Sequence, residues 1–295
     1  MEKVNIGGQA VIEGVLMRAP RSMAIAVRRP DGQIVVKRDR VVPVSERFPV
    51  VKLPLLRGAV ALFSSLVIGM KALSFSANEA ASEGEQKEEM SSLAMGGTIA
   101  VALLFGILLF FILPLFLTKL LVPCIGDSNI IFNLVDGLIR VVVFLLYVYS
   151  ISRMKDIKRV FQYHGAEHKS IFAFEAGTRL TVDNVKRFSR LHPRCGTSFL
   201  ILVLLISILV FSMVTWESLV IRILLKLVLI PVVVGISYEL LKFSGRHDNF
   251  LTRIICAPGL WLQHLTTQEP DDSMIEVAIA AVTPVLPENR AEDQW

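Results

Sequence analysis

The run His164-Gly165-Ala166-Glu167-His168 holds the residues best suited to chemistry. It reads H-x-x-E-H, an inverted zincin pattern. On a helix, positions i and i+4 share a face, so both imidazoles can reach one metal ion. Glu167 beside them is placed to serve as general base, the catalytic role at such a site. Gly165 opposes a helix here by about 1 kcal/mol relative to Ala. Two histidines do not close the site, because a catalytic zinc takes three protein ligands plus water. His192-Pro193-Arg194-Cys195 supplies the most metal-like pair, His192 and Cys195, both good zinc ligands. Glu239, His247, Asp248 and Glu13 form a second tier of candidates. The plainer reading gives the histidines to lipid phosphate or backbone carbonyls, and Cys195 to packing as a small apolar filler.

The elements that must position these groups belong to a membrane protein. The chain has 295 residues, 53% hydrophobic and 19% charged, against about 25% charged in soluble domains. Four stretches read as crossings: Thr98–Val122, Ile130–Ile151, Ser198–Thr215 and Leu219–Leu241. Each approaches the roughly 20 apolar residues that a spanning helix needs. The links Pro123–Asn129 and Trp216–Ser218 contain no Lys or Arg, whereas Ser152–Gly196 contains ten. Basic links face the cytoplasm, so both termini and the candidate site are expected there, with the chain in the bacterial inner membrane. The net charge of +5 reflects that topology, and no specific nucleic-acid binding is expected. MEKVNIGGQAVIEGV lacks the basic start and apolar core of a signal peptide. Three well-separated cysteines without a CxxC argue against a disulfide framework.

The fold class is therefore a polytopic α-helical membrane protein, with about four transmembrane helices in two hairpins and small α+β cytoplasmic N-terminal and C-terminal regions. Residues 1–54 form the first region, with a β-hairpin over Met23–Arg40 turning at Pro30-Asp31-Gly32. The Gly7–Gly14 segment reads as a tight turn, since it lacks the Lys of a phosphate loop. Residues 55–75 read as an interfacial or re-entrant helix, because the apolar core Gly58–Met70 is short. Residues 76–97 read as a solvated acidic linker. The transmembrane hairpins are 98–151 and 198–241, separated by the basic loop 152–197. The C-terminal region, 242–295, holds an interrupted apolar stretch, Phe250–Leu265, with Trp261 at head-group level. A helix from about Asp272 to Val282 follows it. Asp136 and Lys226 lie at similar depth from the outer ends of their spans. Arg140 is one turn from Asp136. Intramembrane charges pair in bundle interiors, so an Asp136–Arg140–Lys226 cluster is expected; snorkelling of Lys226 to the head groups is the alternative.

GGQAVIEGVLMR, HGAEHKSI, HPRCGTSF and PGLWLQHLTTQEPDD occur in this order. Through them the chain resembles the YqhQ-like family of bacterial membrane proteins, from about Asn5 to Val282. That family is uncharacterised and carries the label of predicted metal-dependent enzyme. The resemblance implies His164, Glu167, His168, His192 and Cys195 as positions of interest, with Gly7–Gly14 and Arg246–Asn249 behind them. Three functions stay open. The first is a metal-dependent hydrolase, with zinc as its cofactor. The second is a non-enzymatic accessory factor in membrane-protein insertion, quality control or assembly, associated with a translocon or ribosome. The third is a transporter built on the charge cluster. The lipid bilayer is the one partner common to all three.

Overall fold

The computed structural model describes residues 6–42, 44–81, 92–125, 128–213, 219–247 and 249–286. Four antiparallel strands open the chain: β1 (Gly7–Val11), β2 (Gly14–Arg18), β3 (Ser22–Arg28) and β4 (Ile34–Arg40), in that order across the sheet. β3 and β4 form the hairpin expected at Pro30-Asp31-Gly32, with Gly32 at φ 87°. The Gly7–Gly14 segment differs from expectation. It is a strand and a turn, with β1 pairing along β2 and Glu13 at φ 51° making the reversal.

The sheet is buried on both faces, which is why β2 and β3 read as unbroken apolar runs. Side chains alternate across the pleat. Val15, Met17, Ala24 and Ala26 face one core, and Leu16, Ile25 and Val27 face another. The first core is closed by α6 (Lys155–Glu175) and α11 (Asp272–Val282). The second is closed by α2 (Leu56–Ala81), through Ala72, Ile68 and Phe75. Two single-turn helices, α1 (Val44–Arg47) and α7 (Val182–Val185), lie in the connections.

α2 is one continuous helix of 26 residues, long and apolar enough to cross a membrane. Its packing is divided. Near its start Arg57 pairs with Glu239, and Gly58 meets Tyr238 and Gly235 of α9 (Leu219–Arg246). Farther along it carries the sheet, where Gly69 meets Gln9 and the Ser76 hydroxyl accepts the Ile12 amide. Phe63, Leu66, Met70 and Leu73 line an exposed apolar side. The acidic linker also differs from expectation, because Ser76–Ala81 belongs to α2. Glu79 there is buried and paired with Arg29 of the β3–β4 turn. The rest of that linker up to residue 91 lies outside the described residues.

Three more stretches are long and apolar enough to cross. Gly96–Pro123 is built from α3 (Ser92–Ile107), a π-helical turn at Leu108–Ile112 and α4 (Leu113–Ile125). The others are α5 (Asn129–Ser152) and the Leu224–Gly245 part of α9. The chain is thus an α-helical membrane protein with a small N-terminal antiparallel sheet. α8 (Gly196–Ser212) is apolar but has only 17 residues, at the lower limit of about 17 for a crossing. It packs between α5, α9 and α10 (Phe250–Thr266). The interrupted stretch Phe250–Leu265 is one helix despite Pro258, opened by a capping box between Asn249 and Thr252. Its face toward α8 carries Gly259, where a Cβ would overlap Ser198. Its other side exposes Phe250, Ile254 and Trp261.

The intramembrane cluster forms. Asp136 Oδ2 accepts from Arg140 Nη2 at 2.8 Å and from Lys226 Nζ at 3.0 Å. All three residues are buried, so Lys226 turns into the bundle and does not snorkel. Phe211 lies against both cations, at 5.8 Å from Arg140 and 5.6 Å from Lys226.

Candidate metal centre

α6 is helical straight through His164–His168, and Gly165 is what permits its position. A Cβ at Gly165 would overlap the Gln268 carbonyl oxygen in the α10–α11 link. The intrinsic cost of glycine therefore buys close approach of that link. Gly165→Ala is expected to cost roughly 1–3 kcal/mol, the range for overpacking, seen as a lower unfolding temperature in detergent.

His164 and His168 project from one face of α6, with ring centroids 4.4 Å apart. Each ring is fixed by a backbone carbonyl. His164 Nδ1 donates to Thr266 O at 2.8 Å, at the end of α10. His168 Nδ1 donates to Arg190 O at 2.6 Å. A carbonyl can only accept, so each neutral ring carries its proton on Nδ1 and presents the Nε2 lone pair. Those lone pairs face Cys195. His164 Nε2 lies 3.1 Å from Cys195 Sγ. His168 Nε2 is buried and makes no hydrogen bond of good geometry among the described residues. Donor atoms of His164, His168 and Cys195 all lie within 4.8 Å of one another, so this cluster could hold a metal ion. The donor chemistry fits, with two imidazoles oriented by outer carbonyls and one sulfur. His168 and Cys195 are buried and His164 is half-buried.

Cys195 is placed by the start of α8. It is the N-cap residue, and its sulfur accepts from the Thr197 amide at 3.4 Å. The loop before it is clamped by Gln263 of α10. The Gln263 side chain accepts from the His192 amide at 2.7 Å. It donates to the His192 carbonyl at 2.8 Å and also reaches Ser198 Oγ at 3.1 Å. Gln263 sits inside PGLWLQHLTTQEPDD, yet an amide side chain gave no reason to single it out. Such outer supports are typically worth about 10–100-fold in metal affinity. Gln263→Leu is expected to weaken metal binding by about that factor, measured by competition with a chromogenic chelator.

The other sequence candidates fall elsewhere. His192 borders the cluster without joining its three donors: its ring lies 5.6 Å from His168 and 4.4 Å from Phe172. His192 Nε2 is 3.7 Å from Glu175, which is also paired with Arg194. Glu13 pairs with Arg159 and accepts from the Tyr163 hydroxyl at 3.3 Å. Glu239 is taken by Arg57. His247 is exposed and stacks on Phe243. Asp248 lies outside the described residues. Among the described residues, His164, His168 and Cys195 are the sequence candidates that converge.

Glu167 is buried where α6 meets β1. A Cβ at Gly8 would lie 2.9 Å from Glu167 Cγ and Cδ, so the glycine makes room for this carboxyl. Burial pushes the Glu167 carboxyl above its ordinary range; the nearby His164 and His192 and the Gly8 amide oppose this. Burial likewise pushes the His168 imidazole down, keeping it neutral, as a ligand must be. A raised folded-state carboxyl binds a proton that the unfolded chain has released. Stability is therefore full below the unfolded value and falls as pH rises toward the folded one. Glu167→Gln is expected to flatten that decline in unfolding temperature measured against pH.

A family model described as "Protein of unknown function (DUF1385)" matches residues 53–288. The "Uncharacterized protein YqhQ" of Bacillus subtilis (strain 168) is 38% identical over 292 residues, covering 95% of this chain and 92% of the relative. No solved structure matches. The family match runs through all three donors, and the chain belongs to the DUF1385 family, alongside the YqhQ protein that it resembles over nearly its whole length.

Proposed function

We propose that this protein is a membrane-bound zinc enzyme, hydrolytic in class, working at the cytoplasmic face of the bacterial inner membrane. One observation carries the reading: His164 and His168 are both locked by backbone carbonyls with their Nε2 atoms turned toward Cys195. Two imidazoles and one thiolate with a position left over is the ligand count of a catalytic zinc, whereas structural sites take four protein ligands. His164, His168 and Cys195 would hold the ion, with His192 and Glu175 behind His168. A bound zinc would polarise a carbonyl or phosphoryl group and lower the pKa of water. Burial favours the protonated Glu167 carboxyl in the interface beside these ligands, and its role would be to move a proton during turnover.

Packing and charge support this membrane placement. The N-terminal sheet and the C-terminal α11 both pack on α6, within the basic link, which supports one side for all three. The positive-inside rule makes that side cytoplasmic. α2 is placed along the inner interface, with the sheet on one side and Phe63, Leu66 and Met70 toward the lipid. A second reading, an accessory factor in membrane-protein insertion, quality control or assembly, is favoured by the exposed Phe48, Val50 and Leu53 between β4 and α2. Such a strip would dock a protein partner.

The test compares wild type with Glu167→Gln on ester, amide and phosphoester substrates in detergent. The variant is expected to keep its fold and zinc while losing turnover by about 10²–10⁴-fold, the usual contribution of a general acid or base. Unchanged turnover would remove Glu167 from the mechanism. Equal turnover by zinc-free protein would remove the metal.

A further inference from the structure

The charge cluster is the inner end of a longer polar stripe. Asn129, Asn133, Asp136 and Arg140 follow one another on α5 at spacings of four, three and four, which keeps them on one helical face. Asn133, Asp136 and Arg140 are buried in the bundle, while Leu134 and Leu138 of the same helix are exposed. From Val141 to Leu146 the helix is wholly apolar. The stripe thus runs inward from the Ser128 end for eleven residues, about 16 Å at 1.5 Å per residue, roughly half of a ~30 Å hydrocarbon core.

At its inner end the hydrogen bonding is incomplete. Both cations take the same oxygen, Asp136 Oδ2. Asp136 Oδ1 and Arg140 Nε are buried and have no hydrogen-bond partner among the described residues. A carboxylate oxygen and a guanidinium N–H left bare inside a bilayer are costly. Buried polar groups of this kind are satisfied by water. The surrounding walls offer none of it: Phe111 of the π-helical turn and Phe211 of α8 flank Arg140. Beside the stripe Gly137 meets Ile208 so closely that a Cβ would lie 2.6 Å from its Cγ1, so α8 closes that flank. Among the described residues, the polar face of α5 is the route by which water would reach the cluster. The π-turn opposite Arg140 adds to the case, since such turns recur at functional sites in membrane and soluble helices.

We propose that this face of α5 lines a hydrated half-channel, open at the Ser128 end and closed below Arg140, whose floor binds water and small hydrophilic ions at Asp136, Arg140 and Lys226. It lies at the opposite end of α8 from Cys195, and it stands independently of the zinc reading. A half-channel delivers a solute to a site without conducting it across.

Cysteine accessibility tests this. In a Cys124→Ser background, Asn129→Cys, Asn133→Cys, Ser207→Cys and Leu138→Cys are each treated with a small, membrane-impermeant sulfonate thiol reagent. The reagent is applied separately to the two faces, in spheroplasts and in inverted vesicles. Only a hydrated thiol ionises and reacts. Asn133→Cys is expected to react from the Ser128 face alone, at least about tenfold faster than lipid-facing Leu138→Cys, since thiolate fraction controls the rate. Ser207, one turn inward from Phe211 on α8, serves as a second reporter should Asn133→Cys fail to fold. If folded Asn133→Cys and Ser207→Cys are as unreactive as Leu138→Cys from both faces, the half-channel does not exist. Equal reaction from both faces would show a through-pore and overturn the closed floor.

Discussion

Purified without chelators, the wild-type chain is expected to carry about one zinc per molecule, and a His164→Ala/His168→Ala double variant essentially none. The expected loss is total because two of the three donors go and the third, Cys195, cannot hold an ion alone. Single variants should separate the donors from their neighbours. Cys195→Ser should lower affinity steeply, since an alkoxide is a poor substitute for a thiolate on zinc. His192→Ala should weaken binding less, because His192 supports His168 from outside the cluster. Metal analysis of the detergent-purified proteins distinguishes these cases. Equal zinc in wild type and double variant would place the ion elsewhere.

The second large effect is on stability. Asp136→Leu is expected to destabilise the protein by roughly 3 kcal/mol, the lower end of the range for a buried pair deprived of one partner. It would leave Arg140 and Lys226 facing each other inside the bundle with their shared acceptor gone. Restoring the balance should restore stability: Asp136→Leu/Lys226→Met is expected to lose less than the two single changes added together, the mark of direct coupling. Unfolding of the solubilised proteins by a graded denaturant reads this out. A single-variant loss below about 0.5 kcal/mol, the size of an exposed-pair effect, would mean that the cluster is open to solvent and holds nothing together.

Much of this arrangement was legible in the sequence because it depends on helical period and on depth. His164 and His168 share a face by spacing alone, and Cys195 came within reach of them on the expectation that the spans return to one surface. Asp136 and Lys226 met because each lies seven residues inside its helix start. α11 begins at Asp272 as the acidic run implied, but Asp271 caps it, after Pro270, in place of a threonine hydroxyl. What escaped notice depends on tertiary contact. Gly8 and Gly165 looked like turn or helix-breaking residues, yet each is small because another element presses against it. Glu79 looked like part of a solvated acidic run until Arg29 came from the sheet to meet it. Glu239 had the right depth for the metal cluster, and Arg57 of α2 took it. Gln263 carries no distinctive chemistry and is important through the His192 backbone groups and the Ser198 hydroxyl that it holds.

Zinc K-edge X-ray absorption on the purified wild-type protein tests the central claim most directly. The account predicts one sulfur at about 2.3 Å and two imidazole nitrogens at about 2.0–2.1 Å, with one further light-atom ligand. The sulfur signal should vanish in Cys195→Ser. A spectrum without sulfur, a shell of four protein ligands, or protein that binds no zinc at all would contradict it.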